Sequence, residues 1–343
     1  MKSLDRRLAL PLLVLLVAAA TLLSLAWGQM AIPFHYVIAS LSQGIGLPFF
    51  HGVRVPADEA AVLWQIRLPR TLVGLMVGAG LGISGAVLQG IFANPLADPG
   101  IIGISSGASV GAIFAIAAGI TGFSLYALPF CALLGALLAV GCTVLLAMRH
   151  GRVPVLTLLL AGVVVGMFLA AVTAAVLTVL DASKVQAYFF WTIGSLDYRR
   201  WEHVFLAVPP MAVGIGIMLL LARQLNVLAM GEMEARAVGM AVQRYRLLFL
   251  LLASLTTATG VCVSGNIGFV GLVVPHMLRL LLGPDHRLLL PASLLAGAAF
   301  LVLCDALGRI VLPGMEIRVG IMTAFIGAPY FLYLLRREAR RLD

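Results

Sequence analysis

Apolar runs of membrane length recur along the whole chain and limit what it can fold into. Each run holds roughly 20 residues, which is the length of α-helix that crosses the hydrocarbon core of a bilayer. Because lipid offers no water to unpaired backbone groups, such spans fold as helices. The sequence therefore predicts an all-α fold, a polytopic membrane protein with about ten transmembrane helices in one domain over residues 1–343.

The composition supports a membrane protein and argues against a soluble domain. Of the 343 residues 62% are hydrophobic and only 11% are charged, whereas a soluble protein has about 25% charged residues. The mean hydropathy is +1.08. The net charge of +9 lies in short loops, so we interpret it as a topology signal and not as a nucleic-acid-binding surface. No CxxC spacing occurs among the cysteines, so we predict that they serve as small packing residues. They are Cys131, Cys142, Cys262 and Cys304.

Ten spans account for the apolar runs in order. They are predicted at residues 8–27, 71–89, 101–120, 126–148, 155–180, 204–221, 247–263, 269–282, 288–307 and 319–335. Basic residues, including Lys2, precede the first span, and we expect this end to lie in the cytoplasm. Ten spans then leave both termini cytoplasmic and place most of the 23 Lys and Arg residues on that side, as the positive-inside rule requires.

A polar break separates the second and third spans. It includes Asn94, Pro95, Asp98 and Pro99. Two prolines this close cannot sit inside one continuous helix without losing backbone hydrogen bonds. We therefore predict a helix break that lies at a membrane surface or lines a cavity walled by protein.

A charged loop at residues 225–246 contains a predicted short helix. Gly231 and Gly239 bracket it, and Glu232 and Glu234 lie near its N-terminus, where the helix dipole favours carboxylates. Arg236 follows Glu232 by four residues, which is the spacing of a helical ion pair. Two interpretations stay open at this point: an interfacial helix on the inner leaflet, or a docking helix for a cytoplasmic partner.

The chain shows no energy source of its own. A P-loop needs a lysine after a glycine, and neither Lys2 nor Lys184 follows one. Ion-driven carriers bury carboxylates in their spans, and here only Asp305 is predicted there. Arg309 lies four residues further on, which favours a structural bridge over a proton relay. No pattern typical of an enzyme is present, so we expect no catalytic residue, and energy supplied by a partner is the best account. An ion-coupled secondary transporter and a membrane scaffold are the alternatives.

Three arginines are predicted to lie at the outer face. Arg67 and Arg70 flank Pro69 at the start of the second span, and Arg309 ends the ninth span at the same face. Each of them alone is typical of an interfacial anchor. Grouped together, they would form a pocket for acidic residues of a partner.

Several longer motifs together resemble one family over nearly the whole chain. They are Arg67-Leu68-Pro69-Arg70, Asn94-Pro95-Leu96-Ala97-Asp98-Pro99-Gly100, Gly268-Phe269-Val270-Gly271-Leu272 and Asp285-His286-Arg287, together with Gly85, the loop from Gly231 to Gly239, Pro275, His276 and Arg279. These residues resemble the FecCD family, the permease subunits of ABC importers for iron–siderophore complexes, haem and vitamin B12.

The resemblance implies the architecture of a type II ABC importer permease in the bacterial inner membrane. Two copies of the chain would form a homodimer with the pathway along the two-fold axis. Two ATPase subunits would bind the cytoplasmic face, and one periplasmic substrate-binding protein would bind the outer face. ATP and Mg would bind to the ATPase, so this chain is expected to hold no cofactor and no metal of its own.

The resemblance also implies roles for particular residues. Binding-protein docking would fall on Arg67, Arg70 and Arg309, and the cytoplasmic gate on Val155 and Leu156. The helix break at Asn94, Pro95, Asp98 and Pro99 would belong to the pathway. ATPase coupling would fall on Gly231, Glu232, Glu234, Ala235, Arg236 and Gly239.

The expected cargo is haem. Asp58-Glu59-Ala60, Gln89-Gly90 and the stretch from Gly103 to Ala108 are most similar to haem permeases. A ferric siderophore is the first alternative, and vitamin B12 is the other. The vitamin B12 member has small hydroxylated residues at the gate position, where this chain has Val155 and Leu156. Apolar residues there disfavour vitamin B12 and any strongly polar cargo.

Overall fold

The computed structural model describes residues 6–46, 52–149 and 151–342. Lys2 lies outside these ranges. Within them the chain forms helices and two isolated β-bridges, with no β-strand. The first helices are α1 (Arg6–Ala26), α2 (Phe34–Gly44), α3 (Ala57–Val62), α4 (Leu68–Ile91), α5 (Ile104–Ala117), α6 (Ala127–Ala147) and α7 (Val155–Leu177). The remaining ones are α8 (Ala182–Thr192), α9 (Trp201–Leu220), α10 (Ala222–Ala229), α11 (Glu232–Ala237), α12 (Val242–Ser264), α13 (Val270–Leu282), α14 (His286–Ile310) and α15 (Val319–Leu342).

The predicted all-α membrane fold is confirmed, and its ten spans appear in order. In the described chain seven helices are long and apolar enough to cross a membrane, and three shorter apolar helices match the third, eighth and tenth predicted spans. The main difference concerns the second span, predicted at residues 71–89. There α3, a π-helical turn and α4 run on without a break from Ala57 to Ile91, over 35 residues. The sequence prediction started too late because Arg67 and Arg70 interrupt the apolar run.

Three helices form the interior of the bundle and the others surround it. In the most apolar stretch of 18 residues of the continuous α3–α4 helix, 83% of the residues are buried. The corresponding shares are 78% in α12 and 61% in α14, but only 17% in α7. The peripheral helices therefore present apolar side chains outward, as a surface in contact with lipid or with a further membrane helix requires.

Helix α4 contacts α13 and α14 backbone to backbone. A Cβ atom added at Gly82 would lie 2.2 Å from the carbonyl oxygen of Ser293 in α14. One added at Gly85 would lie 1.9 Å from the carbonyl oxygen of Gly271 in α13. Neither position has room for a side chain, and small residues of this kind allow close packing of membrane helices.

This close contact gives a test of the packing. We expect Gly82→Ala to push α4 away from α14 and to destabilise the fold by about 1–3 kcal/mol, as overpacking does. Gly216→Ala in α9 is the matched control, because a Cβ atom there meets nothing within 4 Å. The measurement is the apparent melting temperature of the purified protein in detergent. Equal melting temperatures for the two variants would contradict the packing described here.

Candidate functional site

A buried cluster of charges lies at the end of the bundle where α4 begins and α14 ends. Its centre is Arg70 of α4, whose Nη2 lies 2.8 Å from Oδ1 of Asp305 in α14. The same guanidinium reaches Asp197, at 3.0 Å, and Glu316, at 2.7 Å. Asp197 lies in the loop between α8 and α9, and Glu316 in the loop between α14 and α15. One arginine therefore ties two helices and two loops together.

The two other predicted docking arginines also point inward. Arg309 has its Nε 3.3 Å from Oδ2 of Asp305 and donates from Nη2 to the carbonyl oxygen of Ser24 at 3.0 Å. Arg67 donates to the carbonyl oxygens of Leu25 and Ala26, near the C-terminus of α1, at 2.7 and 2.8 Å. These are carbonyls of the last turn of a helix, which have no partner within the helix itself.

The three predicted docking arginines thus come together, as expected, but none lies on an open surface. Arg67, Arg70 and Arg309 are 4%, 7% and 3% exposed. Their docking role stays a prediction. The predicted bridge between Asp305 and Arg309 is present, and the partner that the sequence did not indicate is Arg70.

The opposite end of the bundle contains the predicted short helix, which is α11. Gly231 precedes it with φ +125° and Gly239 follows it with φ +78°, a backbone conformation that favours glycine. Glu234 lies in its first turn, and Ala235 is its buried residue. Met233 is exposed on the helix surface. The short helix between two glycines is therefore confirmed, and its coupling role stays a prediction.

Glu232 makes two ion pairs at this end. Its Oε1 lies 2.5 Å from Nη2 of Arg236, which is the predicted pair four residues apart, and its Oε2 lies 3.0 Å from Nη2 of Arg246. Partial burial acts to raise the pKa of Glu232, but the hydrogen bond and charge of Arg246 and the charge of Arg236 outweigh it and leave the pKa lowered. The carboxylate is therefore ionised at neutral pH.

The predicted gate residues occupy the first turn of α7. Val155 is half-buried, while Leu156 is 70% exposed at the same end of the bundle as α11. Backbone groups of the preceding Val153 bond to side chains of α12: its N–H donates to Gln243 Oε1 at 3.1 Å, and its carbonyl accepts from Arg246 at 3.1 Å. Sequence reasoning missed both partners, because neither lies near Val153 in the chain.

The predicted helix break is confirmed in the loop between α4 and α5. The side chain of Asn94 accepts the N–H of Leu96 at 2.9 Å, and Pro95 follows Asn94 in the exposed part of the loop. Asp98 accepts the N–H of Gly100 at 2.7 Å and caps the 3₁₀ turn Pro99–Ile102. Burial raises the pKa of Asp98, although the hydrogen bond from Gly100 lowers it. The part of these residues in a pathway stays a prediction.

A polar clamp that the sequence analysis did not find joins α10 to the start of α14. Asn226 donates to Oδ1 of Asp285 at 2.7 Å and accepts from the N–H and from Nδ1 of His286, each at 2.8 Å. Asp285 also caps α14 through the N–H of Arg287. The hydrogen bonds from Asn226 and Arg287 lower the pKa of Asp285. An acidic residue before a predicted helix was a signal for the cap, but no local pattern points to Asn226.

The chain is similar to several permease proteins along most of its length. It is 47% identical over 289 residues to the cobalamin import system permease protein BtuC of Halobacterium salinarum, which covers 84% of this chain and 77% of the relative. It is 38% identical over 334 residues to the uncharacterized ABC transporter permease protein YvrB of Bacillus subtilis, covering 94% and 92% of the two chains.

Solved structures agree with this likeness. A metal-chelate type ABC transporter in an inward-facing conformation superposes with a TM-score of 0.83 at 34% identity, over 96% of this chain and 98% of that one. PsaBC from Streptococcus pneumoniae superposes with a TM-score of 0.54 at 18% identity, over 77% and 88% of the two chains, and shares the fold.

The match to the family also covers most of the chain. The description of the FecCD transport family matches residues 15–337, which includes both ends of the bundle described above. The relatives named above are permease subunits of ABC transporters, and the inward-facing neighbour has the same helical architecture. The chain belongs to the FecCD transport family and is an ABC importer permease.

Proposed function

We propose that two copies of this chain form the membrane pathway through which an ABC importer moves a large metal chelate into the cytoplasm. The observation that carries the proposal is α11, a short helix with exposed Met233 and a charged face, on a chain without a P-loop. Such a helix suits docking into an ATPase that supplies the energy. The gate residues Val155 and Leu156 lie at the same end of the bundle.

Cobalamin is the first candidate for the cargo. The relatives from Halobacterium salinarum and Citrobacter koseri, 47% and 39% identical to this chain, are named for cobalamin and vitamin B12 import. Haem is the second candidate, because the motifs from Asp58 to Ala108 resemble haem permeases and because Val155 and Leu156 are apolar. A ferric siderophore suits the same type of pathway.

The surroundings of Asp305 argue against an ion-coupled carrier. A carboxylate that relays protons must take up and release them. Asp305 instead has Arg70 at 2.8 Å and Arg309 at 3.3 Å, so its carboxylate is engaged in two ion pairs within the protein. Its position fits a structural ion pair.

The proposed orientation places α11 and both termini in the cytoplasm of a bacterium, with the chain in the inner membrane. The distribution of Lys and Arg supports this orientation. The arginine cluster around Arg70 then faces the periplasm, where a substrate-binding protein delivers the cargo. Direct pairing of its acidic residues with Arg67, Arg70 or Arg309 requires these side chains to exchange internal partners.

Uptake into proteoliposomes tests the function and the cargo together. The chain is reconstituted with its ATPase and its binding protein, and cobalamin, haem and a ferric siderophore are offered with and without ATP. We expect ATP-dependent entry of cobalamin that continues when a protonophore collapses the proton gradient. Entry of haem or siderophore alone would change the cargo and leave the importer in place. Uptake that follows the proton gradient and ignores ATP would contradict the proposed function.

Variants of α11 test the coupling role. The double variant Glu232→Ala, Arg236→Ala removes both charges of the exposed ion pair, and we expect ATP hydrolysis to continue while uptake falls by about tenfold, a typical coupling effect. Arg223→Ala, an exposed arginine of the neighbouring α10, is the control. Unchanged uptake in the double variant would refute the assignment of α11.

A test of the docking role needs a variant that leaves the fold around the three arginines intact. Removing one partner from a buried ion pair costs about 3–5 kcal/mol, so charge reversal at Arg70 would disturb the fold itself. Glu316→Gln instead frees one side of the Arg70 guanidinium, and we expect the binding protein to dock about tenfold more tightly, which corresponds to one added charge-assisted contact. The measurement is binding-protein affinity, with Arg54→Gln, at an exposed arginine, as the control. An unchanged affinity in Glu316→Gln would argue that Arg70 does not take part in docking.

A further inference from the structure

Arg246 lies between the short helix and the gate. It belongs to the second turn of α12 and is 5% exposed. Its Nη2 lies 3.0 Å from Oε2 of Glu232 in α11, and its Nη1 donates to the carbonyl oxygen of Val153 at 3.1 Å. One guanidinium therefore binds one acceptor in α11 and another in the segment that precedes α7.

The segment before the gate is fixed to α12 on both sides of Val153. Gln243 accepts the N–H of Val153, while Arg246 donates to its carbonyl. Val153 is buried, Pro154 caps α7, and the gate residues follow directly. Because no flexible linker separates Val153 from α7, a displacement of this carbonyl displaces the first turn of α7.

The guanidinium group suits a connection of this kind. It is planar and presents five N–H donors in a rigid fork, so it orders two acceptors relative to one another. A lysine ammonium at the same place is a single point charge on a flexible stem. The buried position excludes water, which strengthens both contacts.

We propose that Arg246 is the positioning residue through which movement of α11 reaches the gate at Val155 and Leu156. The inference rests on the proposed function, and it adds a residue and a route to it. When the ATPase moves α11, Glu232 moves with the helix and shifts the Arg246 side chain. Arg246 in turn shifts the Val153 carbonyl and the first turn of α7.

Arg223 provides a control. It is an exposed arginine of α10, the helix that precedes α11, and it takes part in none of the ion pairs described above. Removing it leaves the contacts of Arg246 with Glu232 and with Val153 in place.

The experiment compares Arg246→Lys, Arg246→Ala and Arg223→Ala in the full importer with its ATPase and binding protein, in proteoliposomes. The first measurement is cargo uptake per ATP hydrolysed. The second is the rate at which a thiol reagent labels Leu156→Cys, with and without ATP, in a chain whose native cysteines are replaced by alanine. A purely structural role for Arg246 would not change the response of this labelling to ATP.

We expect Arg246→Lys to retain ATP hydrolysis, to lower uptake per ATP by about tenfold, within the range typical of coupling between sites, and to abolish the effect of ATP on labelling. We expect Arg223→Ala to stay within about twofold of the native chain on both measurements, because substitutions at exposed positions usually have small effects. Arg246→Ala should match or exceed the loss in Arg246→Lys.

Four outcomes would overturn the proposal. The first two are native uptake per ATP in Arg246→Lys and equal losses in Arg223→Ala and Arg246→Lys. The third is failure of Arg246→Ala to assemble while Arg246→Lys behaves as native. The fourth is labelling of Leu156→Cys that ignores ATP in a chain with intact Arg246 and active uptake. Absence of ATP-dependent uptake in the native chain would instead refute the proposed function itself. The two failures are therefore distinguishable.

Discussion

Direct contact between the backbones of α4, α13 and α14 is the constraint on which the other features depend. Gly82 and Gly85 leave no room for a side chain against Ser293 and Gly271. Within a bilayer there is little hydrophobic drive between helices, so close van der Waals packing supplies the association. Because α4 is held this tightly in the middle, the arginines at its N-terminal end take fixed positions relative to α14.

Charge pairing then joins the ends of the same helices. An unpaired charge in a buried site within the membrane is costly, and the cluster around Arg70 meets this requirement by surrounding one guanidinium with carboxylates from α14 and from two loops. Arg67 satisfies its donors with carbonyls at the end of α1. All three of the predicted docking arginines therefore contribute to holding the bundle together, and docking of a partner would act on side chains that are already paired inside the protein.

At the opposite end polar contacts join two kinds of element. An ATPase would move the first kind, and the second kind would open or close the pathway. Glu232 and Arg246 join α11 to α12, and Arg246 continues to Val153. Asn226 joins α10 to the first residues of α14. Two routes thus lead from the charged segment into the bundle, one towards α7 and one towards α14.

The sequence by itself determined the features that depend on local patterns. The ten spans follow from apolar runs, the break at residues 94–99 follows from two prolines, and α11 follows from two glycines and a charge pair four residues apart. Only the tertiary structure decided which side chains meet across the bundle. Arg70 and Asp305 are 235 residues apart, and Arg246 and Val153 are 93 apart. Contacts over such separations leave no periodic trace in the chain, so the burial of the three arginines and the link from α11 to Val153 appear only when the helices are packed.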